Sequence, residues 1–482
     1  MTADHHHPAP ADEQPIPYYW QSVDWPKLMV DYPPPPHFAR TTGQLSADAM
    51  RALQNERFMA RVADAWAIPF YAERWRAAGL GPGDIRSLDD IDRIPTFTSD
   101  DLKQAIAAAP PFGNHHPIGR DDFGVLPLKI QTSGGTTGMP RMTLFDPIAW
   151  EVQAIQVARA LYAQGARPGD IIQIPYTTSL ANAGWCAYTA AHNWLGCVPA
   201  TTGSGLVTPT ERQIDLARAW GTNVWFARGE YLGRIAEVAA ASGFDLKELP
   251  TKFIHSYLGP DTEGIVRKRL EEAWGVPIYD NYGSHEVGLI SWECQARDHK
   301  HISEDTVYCQ LVGVDDRQPI AEGGVGNLVV TSLHRSMPPF IRYNLRDLLT
   351  LYPHATCACG VSSRKLSTFL GRSDEMVKLR GTNVYPLACQ NAVVADPRNT
   401  GDFLCVAEFR GEGLGRREEM TVRIERRSTD IDAGQLAVDM RHALHRDLGA
   451  KVDVEIVEAG SLAPFTRMGG EGKVRRLLDL RK

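Results

Sequence analysis

The chain has 482 residues, 43% of them apolar and 23% charged, and its 51 Lys and Arg against 58 Asp and Glu give a net charge of −7. This composition excludes a disordered chain, a collagen-like repeat and a coiled-coil rod. The mild acidity, without a basic stripe to neutralise phosphates, excludes nucleic acid as a partner. The longest apolar runs, such as 195–200, fall far short of the ~20 residues that cross a bilayer, so no membrane association is expected. The Met1-Thr-Ala-Asp start, followed by His5-His6-His7 and proline-rich sequence, has neither the basic n-region nor the apolar h-region of a signal peptide. A cytoplasmic location is expected. The 8 cysteines are too sparse for a disulfide scaffold, so a cluster among them reads first as metal-binding or catalytic.

Residues 1–45, rich in Pro and His with Tyr18, Tyr19 and Trp20 among them, read as an extended N-terminal arm pinned by its aromatics. From Ser46, a fitting cap, a helical period runs through Met50, Leu53, Phe58 and Val62 towards Pro69. A second helix at about 71–78 closes at Gly79. Beyond Phe123, short apolar strands alternate with helices, the pattern of a mostly parallel sheet flanked by helices. Strands are predicted at 125–130, 170–174, 224–227, 253–258 and 277–279. Asp146-Pro147 opens one helix, and Thr208-Pro209 with Glu211 reads as a capping box for another. Residues 307–352 read as β-rich, with turns at Asp315-Asp316 and Gly323-Gly324. After Gly371, strands at about 403–409, 420–426 and 452–457 accompany an amphipathic helix carrying Leu436, Met440, Leu444 and Leu448. The expected fold class is α/β. A large N-terminal domain over 46–372 has mixed or parallel sheets flanked by helices and a β-rich insert at about 290–370; a small α+β C-terminal domain covers 373–482.

Thr132-Ser133-Gly134-Gly135-Thr136-Thr137-Gly138-Met139-Pro140-Arg141 is the most informative segment. Its glycines let the backbone turn N–H groups towards an anion, while its hydroxyls and Arg141 add donors that can follow a triphosphate. No Gly-Lys-Ser/Thr follows and no G-x-G-x-x-G is present, so it is neither a Walker A loop nor a dinucleotide fingerprint. Met142 and Leu144 alternate with polar residues, so a strand follows the loop. With average residue usage the S-G-x-T-T-G core arises by chance about once in ~1,000 chains of this length, too rarely for a solvent loop to be the better explanation.

This loop is followed in order by Asn281-Tyr282-Gly283-Ser284-His285-Glu286, Arg342-Tyr343-Asn344-Leu345-Arg346-Asp347, the segment from Gly371-Arg372-Ser373-Asp374 to Tyr385-Pro386, and Gly472-Lys473. The ordered set resembles the acyl-adenylate-forming superfamily, and the motif variants and short N-terminal region look most like its phenylacetate-CoA ligase branch. The resemblance implies ATP-dependent activation of a carboxylic acid to an acyl adenylate, then thioester formation with coenzyme A, with release of pyrophosphate and AMP. It assigns Ser133, Gly134, Gly135, Thr136, Thr137, Gly138 and Arg141 to phosphates, Tyr282 and Gly283 to adenine, Glu286 to Mg²⁺, Asp347 to the ribose hydroxyls and Arg372 to ribose or phosphate. Asp374 falls at the hinge about which the C-terminal domain moves between half-reactions, and Gly381 lies in the segment facing the thioester-forming site. Lys473, on a flexible glycine-rich approach, is the expected adenylation cation, able to neutralise charge shared by the carboxylate and the α-phosphate and then to leave.

Cys294-x6-His301 and Cys357-x-Cys359-Gly360 together offer the Cys₃His set of a structural zinc site. The alternative is buried free cysteines with an exposed C-x-C, and Cys309 and His299 are substitute ligands. Trp185, Tyr257 and Ser256 are candidates to bound an aromatic acid, with Asn182 or His285 facing a polar substituent. Where the branch has a small-residue-Glu-Pro element, this chain has Gly259-Pro260-Asp261, so aryl and arylacetic acids are equally compatible. Two further readings share the fold: transfer of the acyl group to a carrier-protein thiol or an amine, and a non-catalytic nucleotide-binding protein. A homodimer is compatible with the sequence.

Overall fold

The longest helices of the computed structural model begin where short polar side chains accept hydrogen bonds from otherwise unpaired N–H groups. The structure describes residues 16–119, 123–133, 141–379, 382–411, 417–468 and 474–481. Ser46 accepts from the Ala49 N–H and opens Ala47–Trp66, Thr98 and Asp101 form a reciprocal box at Ser99–Ala108, and Asp146 accepts from Ala149 and opens Pro147–Gln164. The capping box expected at Thr208 does not form. The helix Thr210–Trp220 has Pro209 itself at the cap position, so Thr208 lies one residue too early, and its hydroxyl donates to the Thr202 carbonyl at 2.6 Å.

The arm is not extended throughout. Asp24 caps a helix, Trp25–Asp31, with Pro26 in its first turn, and short 3-10 turns follow. Its Val23, Leu28 and Tyr32 are buried with Val152 and Ile155 of the helix Pro147–Gln164, and Arg159 Nε donates to the Pro33 carbonyl at 2.9 Å. Burying these side chains requires the chain to coil onto the helix.

A 12-stranded sheet organises the larger part of the molecule. One half is parallel, in the spatial order Val198–Ala200, Ile171–Gln173, Val224–Phe226, Phe253–Ser256 and Ile278–Ser284. Direction reverses after Ser284. The sheet then runs antiparallel through Gly288–Trp292, Lys300–Ile302, Ser362–Leu366, Tyr343–Thr356, Val325–Ser332 and Val307–Val312, so the β-rich stretch continues the parallel sheet. The strand expected at 125–130 is displaced to Lys129–Ser133, paired in a hairpin with Arg141–Phe145. Pro127, which has no N–H to donate, stays out of that ladder.

A separate sheet follows, in the order Asp453–Val457, Arg417–Arg426, Asn399–Arg410, Leu477–Asp479. It shares a core with the helix Ala433–Leu448 through Phe403, Val422, Ile424, Leu436, Met440 and Leu444. Sequence periodicity does not reveal its last strand, three residues paired parallel to Asn399–Arg410. Among the described residues no helix is long and apolar enough to cross a membrane.

Four buried histidines are held neutral. Burial pushes His115 down to about 2, His116 to about 4, and His255 and His334 to about 3. Between pH 6.5 and 4 the unfolded chain binds protons at these positions that the native state excludes, so stability falls as pH drops through that window. The four together give up to ~5 kcal/mol per pH unit. Urea midpoints at pH 7.5 and 5.5 test this: a clear drop at 5.5 is expected, and equal midpoints refute it.

Candidate active site

The reversal of strand direction after Ser284 creates the centre of the site. The strand Ile278–Ser284 carries Tyr282, the turn carries His285 and Glu286, and the chain returns as Gly288–Trp292. The register shifts between Tyr282 and Gly283, and a Cβ at Gly283 would stand 2.5 Å from the Gly288 carbonyl oxygen. Only glycine fits there, which gives Gly283 a backbone reason beside its nucleotide assignment.

Glu286 is buried and ion-paired with Arg141, the residue that resumes the chain after the glycine-threonine loop. Tyr343 donates to the same carboxylate oxygen at 3.4 Å. Burial pushes the Glu286 carboxyl up, but Arg141, His285 and hydrogen bonds outweigh it and hold the group at about 2, ionised at neutral pH. Behind this pair lies Arg335, which is fully buried. It donates to the Glu286 carbonyl at 2.7 Å, the Leu144 carbonyl at 2.7 Å and the Met337 carbonyl at 3.1 Å, and it lies over the rings of Phe145 and Phe340. Burial pushes its guanidinium down to about 10. Arg335 thus ties the turn to the hairpin. Set between His334 and Ser336 just before Met337-Pro338, it gave no sequence signal.

A second cluster joins Tyr282, Asp347, Arg372 and Asp374. Tyr282 donates to one Asp347 oxygen at 2.6 Å and Arg372 to the other at 2.9 Å, while Arg372 grips Asp374 through Nε and Nη2, both at 3.0 Å. Arg346 reaches Asp100 at 2.8 Å and Asp374 at 3.5 Å. The residues expected to hold adenine, ribose and the hinge therefore form one connected network. The Tyr282 ring is largely buried and stacked towards Phe369, with centroids 6.3 Å apart.

The expected acid-pocket residues are distributed around this centre. His285 meets the Phe145 ring edge-on at 5.7 Å, and Tyr257 packs on Phe226 and His255. The Trp185 indole N–H donates to the Ser179 carbonyl at 2.8 Å. Asn182 is buried; its amide donates to Gln153 at 2.7 Å, and its oxygen accepts from the Cys186 thiol at 3.1 Å, so it is committed within the protein. The Ser133 backbone pairs with Arg141 at the mouth of the hairpin. Gly134, Gly135, Thr136, Thr137, Gly138, Gly381 and Lys473 lie outside the described residues.

The four expected metal ligands converge. The ligand atoms of Cys294, His301, Cys357 and Cys359 all lie within 4.8 Å of one another. Cys294 and Cys357 sulfurs are 3.7 Å apart, and Cys359 Sγ is 3.4 Å from His301 Nε2. Tetrahedral zinc with Zn–S of ~2.3 Å and Zn–N of ~2.0 Å sets ligand atoms ~3.8 and ~3.5 Å apart, so the donor set fits this ion. His301 Nδ1 is 2.9 Å from Ser363 Oγ, a contact that fixes the ring with Nε2 towards the sulfurs. Neither Cys309 nor His299 belongs to the set.

The fold is shared with crystal structures of 2-hydroxyisobutyryl-CoA ligase. In the postadenylation state with 2-HIB-AMP the TM-score is 0.79 at 24% identity, covering 100% of this chain and 95% of that one. In the thioesterification state with 2-HIB-AMP and CoA it is 0.66 at 23% identity, covering 100% and 96%. The AMP-binding enzyme C-terminal domain family matches residues 381–481. The phenylacetate-coenzyme A ligase of Thermus thermophilus is 32% identical over 462 residues, 91% of this chain and 98% of that protein; that of Escherichia coli K12 is 29% identical over 449 residues, covering 90% and 96%. The chain belongs to the phenylacetate-CoA ligase branch of the acyl-adenylate-forming superfamily, a branch of AMP-forming acid–CoA ligases.

Removing one partner of the buried Glu286–Arg141 pair leaves an uncompensated charge, at a cost of ~3–5 kcal/mol. Arg141→Met is therefore expected to destabilise the protein by about that amount, and adding Glu286→Gln to recover a good part of it. Chemical denaturation of the two variants checks this; a double variant less stable than Arg141→Met contradicts it.

Proposed function

We propose that the enzyme activates an aromatic carboxylic acid, aryl or arylacetic, with ATP to an acyl adenylate and pyrophosphate, then transfers the acyl group to coenzyme A with release of AMP. The observation that carries this reading is the near-complete coverage of a phenylacetate-coenzyme A ligase at 32% identity. The buried, ion-paired Glu286 and the connected Tyr282–Asp347–Arg372–Asp374 network support it, because motif residues far apart in sequence come together.

In this reading the loop from Ser133 to Arg141 holds the phosphates, and the Asp347 carboxylate exchanges its present partners for the ribose hydroxyls. Glu286, ionised at neutral pH, would be the hard oxygen ligand for Mg²⁺, whose charge would screen the phosphates. Lys473 neutralises the charge that develops between the attacking carboxylate and the α-phosphate. Rotation about Asp374 removes Lys473 and brings the thioester-forming face to the adenylate. Breaking the Arg372–Asp374 contact accompanies that rotation. The cytoplasm, which supplies ATP and CoA, is the proposed location.

Cys294, His301, Cys357 and Cys359 would hold zinc, whose role is to cross-link chain segments; four protein ligands leave no position for substrate. Cys294 follows the strand leaving the Glu286 turn, and Cys357 follows the strand that begins near Asp347. The metal would thus clamp the far ends of strands whose near ends carry the site.

Pyrophosphate exchange over a panel of aromatic and aliphatic acids tests the function. Exchange with aromatic acids, and thioester formation with free CoA, is expected; a silent panel overturns the reading. Lys473→Ala is expected to lose exchange by ~100-fold or more yet still convert a supplied acyl adenylate to thioester. Equal loss of both half-reactions removes Lys473 from its role. Protein lacking the His5-His6-His7 tract is expected to contain one zinc per chain, and Cys359→Ser to lower both zinc content and melting temperature. Less than ~0.5 zinc per chain in gently purified protein counts against the site.

A further inference from the structure

A cavity of about 330 Å³ lies between the N-terminal arm, the phosphate-loop hairpin and the helix Pro147–Gln164. Tyr19, Lys129, Phe145, Trp150, Glu151 and Asn193 are in its walls. It is the size of a small-molecule site, and its walls combine the aromatic Tyr19, Phe145 and Trp150 with charged and polar side chains. Phe145 connects it to the adenylating centre, because the ring that faces the cavity also meets His285, the neighbour of Glu286.

The charged groups of the cavity are unequally satisfied. Both Glu151 oxygens are occupied, one by the Tyr19 hydroxyl at 2.6 Å and the other by the Trp194 indole N–H at 2.7 Å. Asp146 turns towards its helix and accepts from the Ala149 N–H at 2.8 Å. Lys129 is different. Its Nζ lies 3.4 Å from the Trp150 ring centroid and 4.4 Å from that of Trp185. With the Gln131 amide turned so that its oxygen faces the ammonium, that oxygen accepts at 3.1 Å. Among the described residues no carboxylate forms an ion pair with Lys129. Burial pushes the amine down to about 8, which leaves it predominantly cationic near neutral pH. Indole faces stabilise a cation but accept no strong hydrogen bonds, and an ammonium has three N–H donors. The cavity therefore presents a fixed positive charge with unused donor capacity.

We infer that this cavity takes the ring end of the acid and that Lys129 makes the enzyme selective for an aromatic acid with a second oxygen substituent on the ring, a phenolic hydroxyl or a second carboxylate. The inference rests on the aromatic-acid ligase reading above. A cationic substituent meets repulsion. An unsubstituted ring desolvates the ammonium without replacing its water, and a pocket built to hydrogen-bond a substituent rejects the analogue lacking it. The arm closes the cavity through Tyr19, so the specificity surface combines the arm with the loop hairpin.

The test compares phenylacetate with its ring-hydroxylated and ring-carboxylated derivatives, by pyrophosphate exchange and CoA-thioester formation, for the full chain and for Lys129→Met and Lys129→Arg. The wild type is expected to favour one substituted acid over phenylacetate by ~30-fold or more in kcat/KM, within the range of one hydrogen bond to a charged group. Which derivative is favoured identifies the oxygen. Lys129→Met is expected to abolish the preference, lowering kcat/KM for the favoured substituted acid and raising it for phenylacetate, and Lys129→Arg to retain part of it. Because the ratio of acids is taken within each variant, a partial loss of folded protein does not alter it. Loss by one common factor for all three acids, or a wild type that favours phenylacetate, overturns the role of Lys129 and leaves the ligase reading standing. Failure to exchange with any aromatic acid overturns both.

Discussion

A carboxylate buried in a protein must be paired or it will take up a proton, and the site is organised around how Glu286 meets that requirement. Its partner, Arg141, stands at the end of the phosphate-loop hairpin, so the same ion pair that keeps the carboxylate charged joins the hairpin to the sheet. Arg335 reinforces the connection from behind through the carbonyls of Glu286 and Leu144. The backbone at Gly283 and Gly288 approaches too closely for any side chain between them. The hairpin strands, the turn and the sheet are therefore tied to one another before a nucleotide arrives, the preorganisation that electrostatic catalysis requires.

The reversal of strand direction at the same turn has a second effect. Tyr282 lies at the end of the parallel half of the sheet, whereas Asp347 and Arg372 come from its antiparallel continuation. The network proposed to hold the nucleotide bridges the two halves. A metal held where Cys294, His301, Cys357 and Cys359 converge, at the far ends of the strands, would restrain the antiparallel half against splaying. Asp374 shares Arg372 with Asp347, so the proposed hinge is chemically continuous with the carboxylate proposed to hold the ribose.

The sequence is legible where a residue type has few roles. Ser46 and Asp146 mark helix starts because capping chemistry is local, and three cysteines with one histidine are recognisable because few side-chain sets suit zinc so well. Thr208 misleads because Pro209 takes the cap position itself. The strand Leu477–Asp479 escapes notice because three residues paired to a distant strand have no period to read. Pocket walls are the least legible. Asn182 has suitable chemistry but is turned towards Gln153, while Lys129 resembles any lysine near a strand until Trp150 and Trp185 enclose it. Side-chain direction, set by tertiary packing, decides these cases.

The arm packs mainly on one helix, through Val23, Leu28 and Tyr32 against Val152 and Ile155, and its Tyr19 reaches the cavity wall. Among the described residues none of these belongs to the Arg141–Glu286 or Asp347 networks. A segment placed in this way can exchange side chains at little risk to the adenylating machinery. Divergence among relatives in the acid they accept then has an economical route, in which change falls on the arm and its supporting helix while the nucleotide chemistry is inherited intact.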